Sequence, residues 1–286
     1  MNKYLSIIIL THNEEKNIDA CLASIAELDC PKFIVDSGST DATLSIVEKY
    51  PATIFHHPFE NYGKQRNWAL DQLPIETPWI LNMDADHRMT HELAKEIEAI
   101  FSQDISEDIH GFLISRRTIF LGKWMKYGGH YPVYHAILFR KGFGRCEDKL
   151  YDQHFVVTGH CETIKADMID TLTDSLSSFT ERHNRWSTLE AEDQFYKYAK
   201  NNKADLVQAK ATGNAQQRRR YAKSIYEKFP LFVRPFIYFF IRYVIKLGFL
   251  DGAKGLIFHF LQGFWFRFLI DAKIYEMKKN NQGQQS

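Results

Sequence analysis

Short continuous apolar runs that each end abruptly in a polar cluster constrain this chain more than any other feature. Leu5-Ser6-Ile7-Ile8-Ile9-Leu10 breaks into Thr11-His12-Asn13-Glu14-Glu15, and Phe33-Ile34-Val35 breaks into Asp36-Ser37-Gly38-Ser39-Thr40-Asp41. A third run, Trp79-Ile80-Leu81, leaves a Pro78 turn and ends at Met83-Asp84-Ala85-Asp86. Runs without polar alternation read as strands buried on both faces, and the stretches Asn17 to Leu28 and Ala42 to Lys49 read as helices. This alternation predicts an α/β fold with a mostly parallel sheet flanked by helices. Ligands of such sheets collect outside the carboxyl ends of the strands. Three polar clusters at three strand ends therefore predict one crevice.

Two carboxylates one residue apart can turn together toward one ligand where the chain leaves a sheet. Carboxylate oxygens suit hard cations such as Mg²⁺ or Mn²⁺, which bridge diphosphates. An isolated pair of this kind is more often two solvated turn aspartates, so its company at the other strand ends carries the weight. The Asp36–Asp41 cluster also reads as a capped helix start, and a cap would fix the loop that presents Asp36. A sugar-nucleotide pyrophosphorylase should open with a Gly-rich phosphate loop, and a nicotinamide oxidoreductase with G-x-G-x-x-G; Thr11-His12-Asn13-Glu14-Glu15 contains no glycine. A net charge of +1 gives no argument for nucleic acid as a partner. Cys21, Cys30, Cys146 and Cys161 lack metal-type spacing and read as reduced thiols of a cytosolic protein. The apolar run near the N-terminus is too short for a signal-peptide core and reads as a sheet strand.

In order and type, the three clusters resemble the family 2 glycosyltransferases, whose fold is the GT-A nucleotide-sugar-binding fold. Tyr62-Gly63-Lys64-Gln65-Arg66-Asn67-Trp68-Ala69-Leu70 is similar to the branch containing lipopolysaccharide inner-core β-glucosyltransferases. The resemblance implies an inverting, metal-dependent enzyme in which Thr11, Asn13, Glu14 and Asp36 meet the nucleobase and ribose. It places Lys64 and Arg66 at the base or diphosphate, where a guanidinium makes planar bidentate contacts; the bland alternative is a pair of solvated helix cations. Asp84 and Asp86 fall at the ribose–diphosphate–metal centre, with Asp86 the more direct ligand. Where the branch usually carries a further acidic residue this chain has His87, which reads as a further ligand, an acceptor contact or, as the favoured expectation, a surface histidine.

Inversion requires a carboxylate to deprotonate the attacking hydroxyl. Glu147, Asp148 and Asp152 are the candidates. Glu147-Asp148 looks like the acidic pair of many family members, while alignment on Phe155-Val156-Val157 and Gly159 puts the branch's base nearest Asp152, the first choice ahead of Asp148. His154 is a candidate for the metal or phosphate shell. Arg182-His183-Asn184-Arg185-Trp186 resembles an acceptor-side element, with Arg182 and Arg185 for a diphosphate or anionic acceptor and Trp186 for a sugar ring. It reads equally as an ordinary amphipathic helix, Leu176 to Tyr198, with Trp186 in the core.

The segment from Phe229 to Tyr275 holds half of the chain's 22 phenylalanines. Interrupting Arg234, Arg242, Lys246, His259, Gln262 and Arg267 leave no run near the roughly 20 apolar residues of a membrane span. The expectation is a pair of amphipathic helices in the membrane interface, turning at Gly248–Gly252, with the preceding cluster Arg218-Arg219-Arg220 drawn to anionic lipid; the alternative is a hairpin buried on the catalytic domain or a partner. The expected organisation is a catalytic domain over 1–200, a basic connector over 201–228, interface helices over 229–276 and a polar, disordered tail over 277–286. The expected function is transfer of a sugar from a nucleotide-sugar, UDP-linked, to a lipid-anchored saccharide in bacterial surface polysaccharide or lipopolysaccharide assembly. The expected location is the inner face of the plasma membrane, as a peripheral protein that can form a homo-oligomer. A decayed, non-catalytic membrane scaffold on the same fold is the alternative, and the intact Asp84/Asp86 pair argues against it.

Overall fold

The computed structural model describes residues 4–173, 175–200 and 208–283. In chain order the first strands and helices are β1 Leu5–Thr11, α1 Ile18–Ser24, β2 Lys32–Asp36, α2 Thr43–Val47, β3 Thr53–His56 and α3 Tyr62–Gln72. There follow β4 Trp79–Asp84, β5 His87–Met89, α4 His91–Phe101, β6 Ile109–Phe120, β7 Lys123–Trp124 and β8 Tyr134–Arg140. β9 Gly144–Cys146, β10 Phe155–Val157, β11 His160–Thr173, α5 Leu176–Lys200, α6 Ala215–Tyr226, α7 Arg234–Phe240, α8 Gly252–Phe258 and α9 Phe266–Gly283 complete the chain. The polar stretch 277–283 is thus the end of α9, where composition alone suggested disorder.

Among the described residues, nine strands form one sheet in the order β3-β2-β1-β4-β8-β6-β11-β5, with β7 on β6. β3, β2, β1 and β4 run parallel, and β8 lies antiparallel to β4. β1 sits between β2 and β4 with all seven residues buried, which is why its sequence is apolar without alternation. Within the strand the polar side chain of Ser6 accepts a hydrogen bond from Thr77 Oγ1 at 2.7 Å. β9 and β10 make a separate two-stranded ribbon.

The chain divides into two compact units. The first comprises 1–117, 133–148 and 153–171, and the second 118–132, 149–152 and 172–286. The first unit's core is the inner face of the strands with Ile18, Leu22, Leu93 and Ile97 from α1 and α4. The second unit has two apolar clusters, one around Phe120, Met125, Phe179 and Phe258 and one around Ala191, Phe266, Ile270 and Ile274. Between α7 and α9 the backbone opens into π-helical turns at Ile241–Ile245 and His259–Trp265, separated by the Gly248–Asp251 turn and α8. No helix among the described residues is long and apolar enough to cross a membrane. All four cysteines are free thiols.

Candidate active site

Strand register brings the three clusters together. Thr11 lies opposite Asp36 across β1 and β2, Leu10 lies opposite Asp84 across β1 and β4, and Asp36 lies opposite His56 on β3. Loop contacts then sew the first two clusters to each other. Ser39 Oγ accepts from the Asn13 amide at 2.9 Å, Asn13 Oδ1 accepts from the Thr40 amide at 2.8 Å, and Thr43 Oγ1 accepts from the Glu14 amide at 2.7 Å. Asn13 takes a left-handed backbone (φ 54°), a conformation asparagine tolerates better than most residues.

Asp36 is buried and accepts from the Gly38 and Ser39 amides and the Ser39 hydroxyl. Burial alone would raise its pKa, but the hydrogen bonds from Ser39 and Gly38 prevail and hold the carboxyl below the usual range. The helix-start contact belongs instead to Asp41, whose carboxylate accepts from the Thr43 amide and hydroxyl. Thr11 Oγ1 is buried with no hydrogen-bond partner among the described residues.

Asp84 ends β4 beside a buried cation. Arg66, on α3, donates to Asp84 Oδ1 and to the Met83 carbonyl, and Tyr62 donates to the same Asp84 oxygen. Burial opposes ionisation of Asp84; the Arg66 guanidinium overcomes it and brings the carboxyl down to about 2. Asp84 Oδ2 faces His87 Nε2 at 3.5 Å, and Asp86 Oδ1 lies 4.0 Å from that nitrogen. Asp84, Asp86 and His87 present ligand atoms all within 4.8 Å of one another.

His87 therefore corrects the expectation of a surface histidine. It opens β5, whose pairing with β11 sets it opposite Asp170 and buries it to 2 % exposure. Its Nδ1 accepts from the Asp84 amide at 3.1 Å, Arg116 approaches Nε2 at 3.2 Å, and burial keeps its pKa below the ordinary value. His154, the other candidate ligand, is not in this group: it stacks on His135, and its Nδ1 faces Glu147 at 3.6 Å.

The helix α3 joins the aspartates to the acidic pair. Asn67 donates to the Cys146 carbonyl and accepts from its amide, both at 2.9 Å, and Asn61 Nδ2 donates to Asp148 Oδ1 at 2.9 Å. Gly63 lets the helix approach so closely that an added Cβ would lie 2.2 Å from the Glu147 carbonyl oxygen. Glu147 is fully buried and accepts from the His154 amide, whereas Asp148 is exposed. Lys64 is exposed on the first turn of α3 and paired with Glu60.

The family model for glycosyl transferase family 2 matches residues 6–173, which contain every one of these groups. The chain belongs to this family. The lipopolysaccharide core biosynthesis glycosyltransferase LpsC of Rhizobium meliloti is 28% identical over 287 residues, covering 95% of this chain and 92% of its own length. The poly(ribitol-phosphate) beta-N-acetylglucosaminyltransferase TarS of Staphylococcus aureus is 35% identical over 113 residues, 36% of this chain and 19% of TarS. The crystal structure of S. aureus TarS 1-349 in complex with UDP superposes with a TM-score of 0.47 at 18% identity, covering 97% of this chain and 92% of that one. The mixed α/β fold over the matched residues and the presence of a helical C-terminal region agree with what the sequence led us to expect.

The remaining candidates of this family 2 glycosyltransferase lie in the second unit. Asp152 has a left-handed backbone (φ 57°), and its Oδ2 is held by Lys223 at 2.9 Å and Arg220 at 3.5 Å. On α5, Arg182 donates to the Leu172 carbonyl and lies over the Trp186 ring, Trp186 packs against Tyr151 and His183, and Arg185 is exposed. Sequence reasoning gave no role to Tyr62, Asn61, Asn67 or Arg116. The first three stand in or beside the motif that carries the resemblance, which is a usable signal; Arg116 has none, because only the sheet brings β6 to His87.

Proposed function

We propose that this enzyme moves a sugar from a UDP-linked donor to a lipid-anchored saccharide during assembly of a bacterial surface polysaccharide or lipopolysaccharide. It works on the inner face of the plasma membrane with a divalent cation, and inverts the anomeric carbon. The observation that carries the reading is the register setting Thr11, Asp36 and Asp84 at neighbouring strand ends, with Asp86 directly after. The name of the relative matched over nearly its full length supports the biosynthetic setting.

The residues fit a hard cation: Asp84 and Asp86 offer carboxylate oxygens, with His87 beside them, all within 4.8 Å of one another. When bound, Mg²⁺ or Mn²⁺ would neutralise charge developing on the leaving diphosphate. Thr11, Asn13, Glu14 and Asp36 face nucleobase and ribose, and the orphan Thr11 hydroxyl gains a partner there. Lys64, exposed and paired with Glu60, is the cation that would turn toward the diphosphate, while Arg66 holds Asp84 in place.

Asp148 takes the proton of the acceptor hydroxyl as that oxygen attacks the anomeric carbon and the bond to diphosphate breaks. Its exposure and single tether to Asn61 suit this better than the buried Glu147, or Asp152 with its oxygen committed to Lys223 and Arg220. Arg185 is the acceptor-side cation with its head in solvent. Calorimetric titration with UDP, GDP and CDP, each with and without Mn²⁺, tests the donor centre. We expect Mn²⁺-dependent binding of UDP; binding of no nucleotide under any condition rejects the reading in favour of a scaffold.

A further inference from the structure

In the second unit the usual polarity of a folded domain is inverted over α7, α8 and the turns around them. Charged groups point inward and are paired there. Arg234, 2 % exposed, donates to Asp271 Oδ1 at 2.7 Å and to Gln194 Oε1 at 3.0 Å, and Asp271 Oδ2 accepts from the Phe232 amide. Arg242 is likewise buried and donates to the Gly128 carbonyl and to Gln262. Asp251 accepts from the amides of Lys126 and Tyr127. Arg234 and Arg242, which interrupt the aromatic segment in the sequence, are thus interior.

Large apolar side chains point outward instead. Phe236 is 57 % exposed, Phe240 54 % and Ile245 63 %, and the Gly248–Asp251 turn adds Phe249 and Leu250. Phe236, Phe240 and Val244 recur every fourth residue, so the stripe is continuous along one helical face. From Phe229 to Phe260 the exposed charged side chains are Lys246 and Lys254, both cationic; the one carboxylate in that span, Asp251, is buried. Contiguous apolar surface of this kind marks an interaction site.

We infer that this face enters the headgroup–acyl boundary of an anionic bilayer, with Phe236, Phe240, Ile245 and Leu250 among the acyl chains and Lys246 and Lys254 at lipid phosphates. Three observations favour lipid over a second copy of the chain. The face presents cations without acidic counterparts, so two copies would juxtapose like charges, whereas anionic headgroups complement them. The exposed groups continue around a turn between helices, where a fluid phase can conform to them. The buried charges Arg234 and Asp271 already answer each other inside, so removing this face from water does not strand them. The inference rests on the membrane location proposed above, but not on the transfer chemistry.

The test uses the full chain and extruded vesicles of phosphatidylcholine alone or with phosphatidylglycerol. We expect co-sedimentation with the mixed vesicles, at least tenfold weaker partitioning for Phe240→Asp and Ile245→Asp, and a smaller loss for Lys246→Glu that appears only with phosphatidylglycerol. Far-UV circular dichroism and UDP binding by each variant report whether it folds and whether the donor centre is intact. Wild-type protein that ignores both vesicles, or folded Asp variants that sediment like wild type, would overturn the inference. So would a wild-type dimer in light scattering that Ile245→Asp splits without any vesicle binding, since the face would then be a self-interface.

Discussion

At the residue scale, Asp84 and Asp86 look alike in sequence and differ in their surroundings. Asp84 answers a guanidinium buried to 2 % exposure, so removing its charge leaves Arg66 without its counterion. Losing one partner of a buried pair costs about 3–5 kcal/mol, and the Met83 carbonyl and Tyr62 hydroxyl still held by Arg66 favour the low end. We expect Asp84→Asn to lower the melting temperature and abolish Mn²⁺-dependent UDP binding together. Asp86→Ala should abolish the binding with the melting temperature unchanged, and full turnover in Asp86→Ala would refute the site. At the acidic pair, Asp148→Asn should cut turnover by roughly 10²–10⁴-fold with UDP affinity retained, the range a general base supplies. A larger turnover loss in a folded Asp152→Asn would transfer the role to Asp152. The aspartates were legible because strand ends concentrate ligands whatever the tertiary detail. The burial of His87 was not, since it comes from β5 pairing with β11 about 80 residues on.

At the element scale, α3 is a clamp rather than a helix that merely lines the site. Asn67 holds Cys146 across 79 positions of sequence, and Gly63 touches the Glu147 backbone. Lys64 and Arg66 were legible as helix cations, but the partner of their helix was not, because nothing local marks contact with a segment so distant. Gly63→Ala should cost about 1–3 kcal/mol by overpacking and, by shifting Asp148, should lower turnover more than UDP affinity. Equal losses in both would argue against the clamp. On α5 the structure makes His183 an interior residue: it stacks on Phe179, and its Nδ1 donates to the Phe179 carbonyl. Burial brings its pKa down from 6.5 to about 4. Its neutral form is the one that folds, so its contribution is complete above about pH 6.5 and is lost as the pH falls toward 4. The unfolding free energy should therefore decline across that window by about 3 kcal/mol at most. His183→Gln, followed by urea titrations at several pH values, should flatten that slope.

At the scale of the whole molecule, composition announced an aromatic C-terminal region but not the direction in which its side chains point. Hydropathy counts apolar residues; it cannot tell that Arg234 finds Asp271 across 37 positions and turns the phenylalanines outward. The same limit explains why the exposed charges between Phe229 and Phe260 are the lysines Lys246 and Lys254, with Arg234 and Arg242 buried. The groups proposed for the donor side, Thr11, Asp36, Asp84 and Asp86, all belong to the first unit, and the exposed apolar face belongs to the second. This separation makes donor binding and membrane capture distinguishable. In Ile245→Asp the UDP dissociation constant should stay within about twofold of wild type, because no donor-side residue is touched. Turnover on an acceptor embedded in vesicles should fall at least tenfold, since a membrane-bound enzyme meets its acceptor at the high effective concentration that tethering confers. Turnover on a water-soluble fragment of the same acceptor should be unchanged. A parallel loss on both acceptors would show that Ile245 supports the catalytic machinery itself and that the face has no separate role in capture.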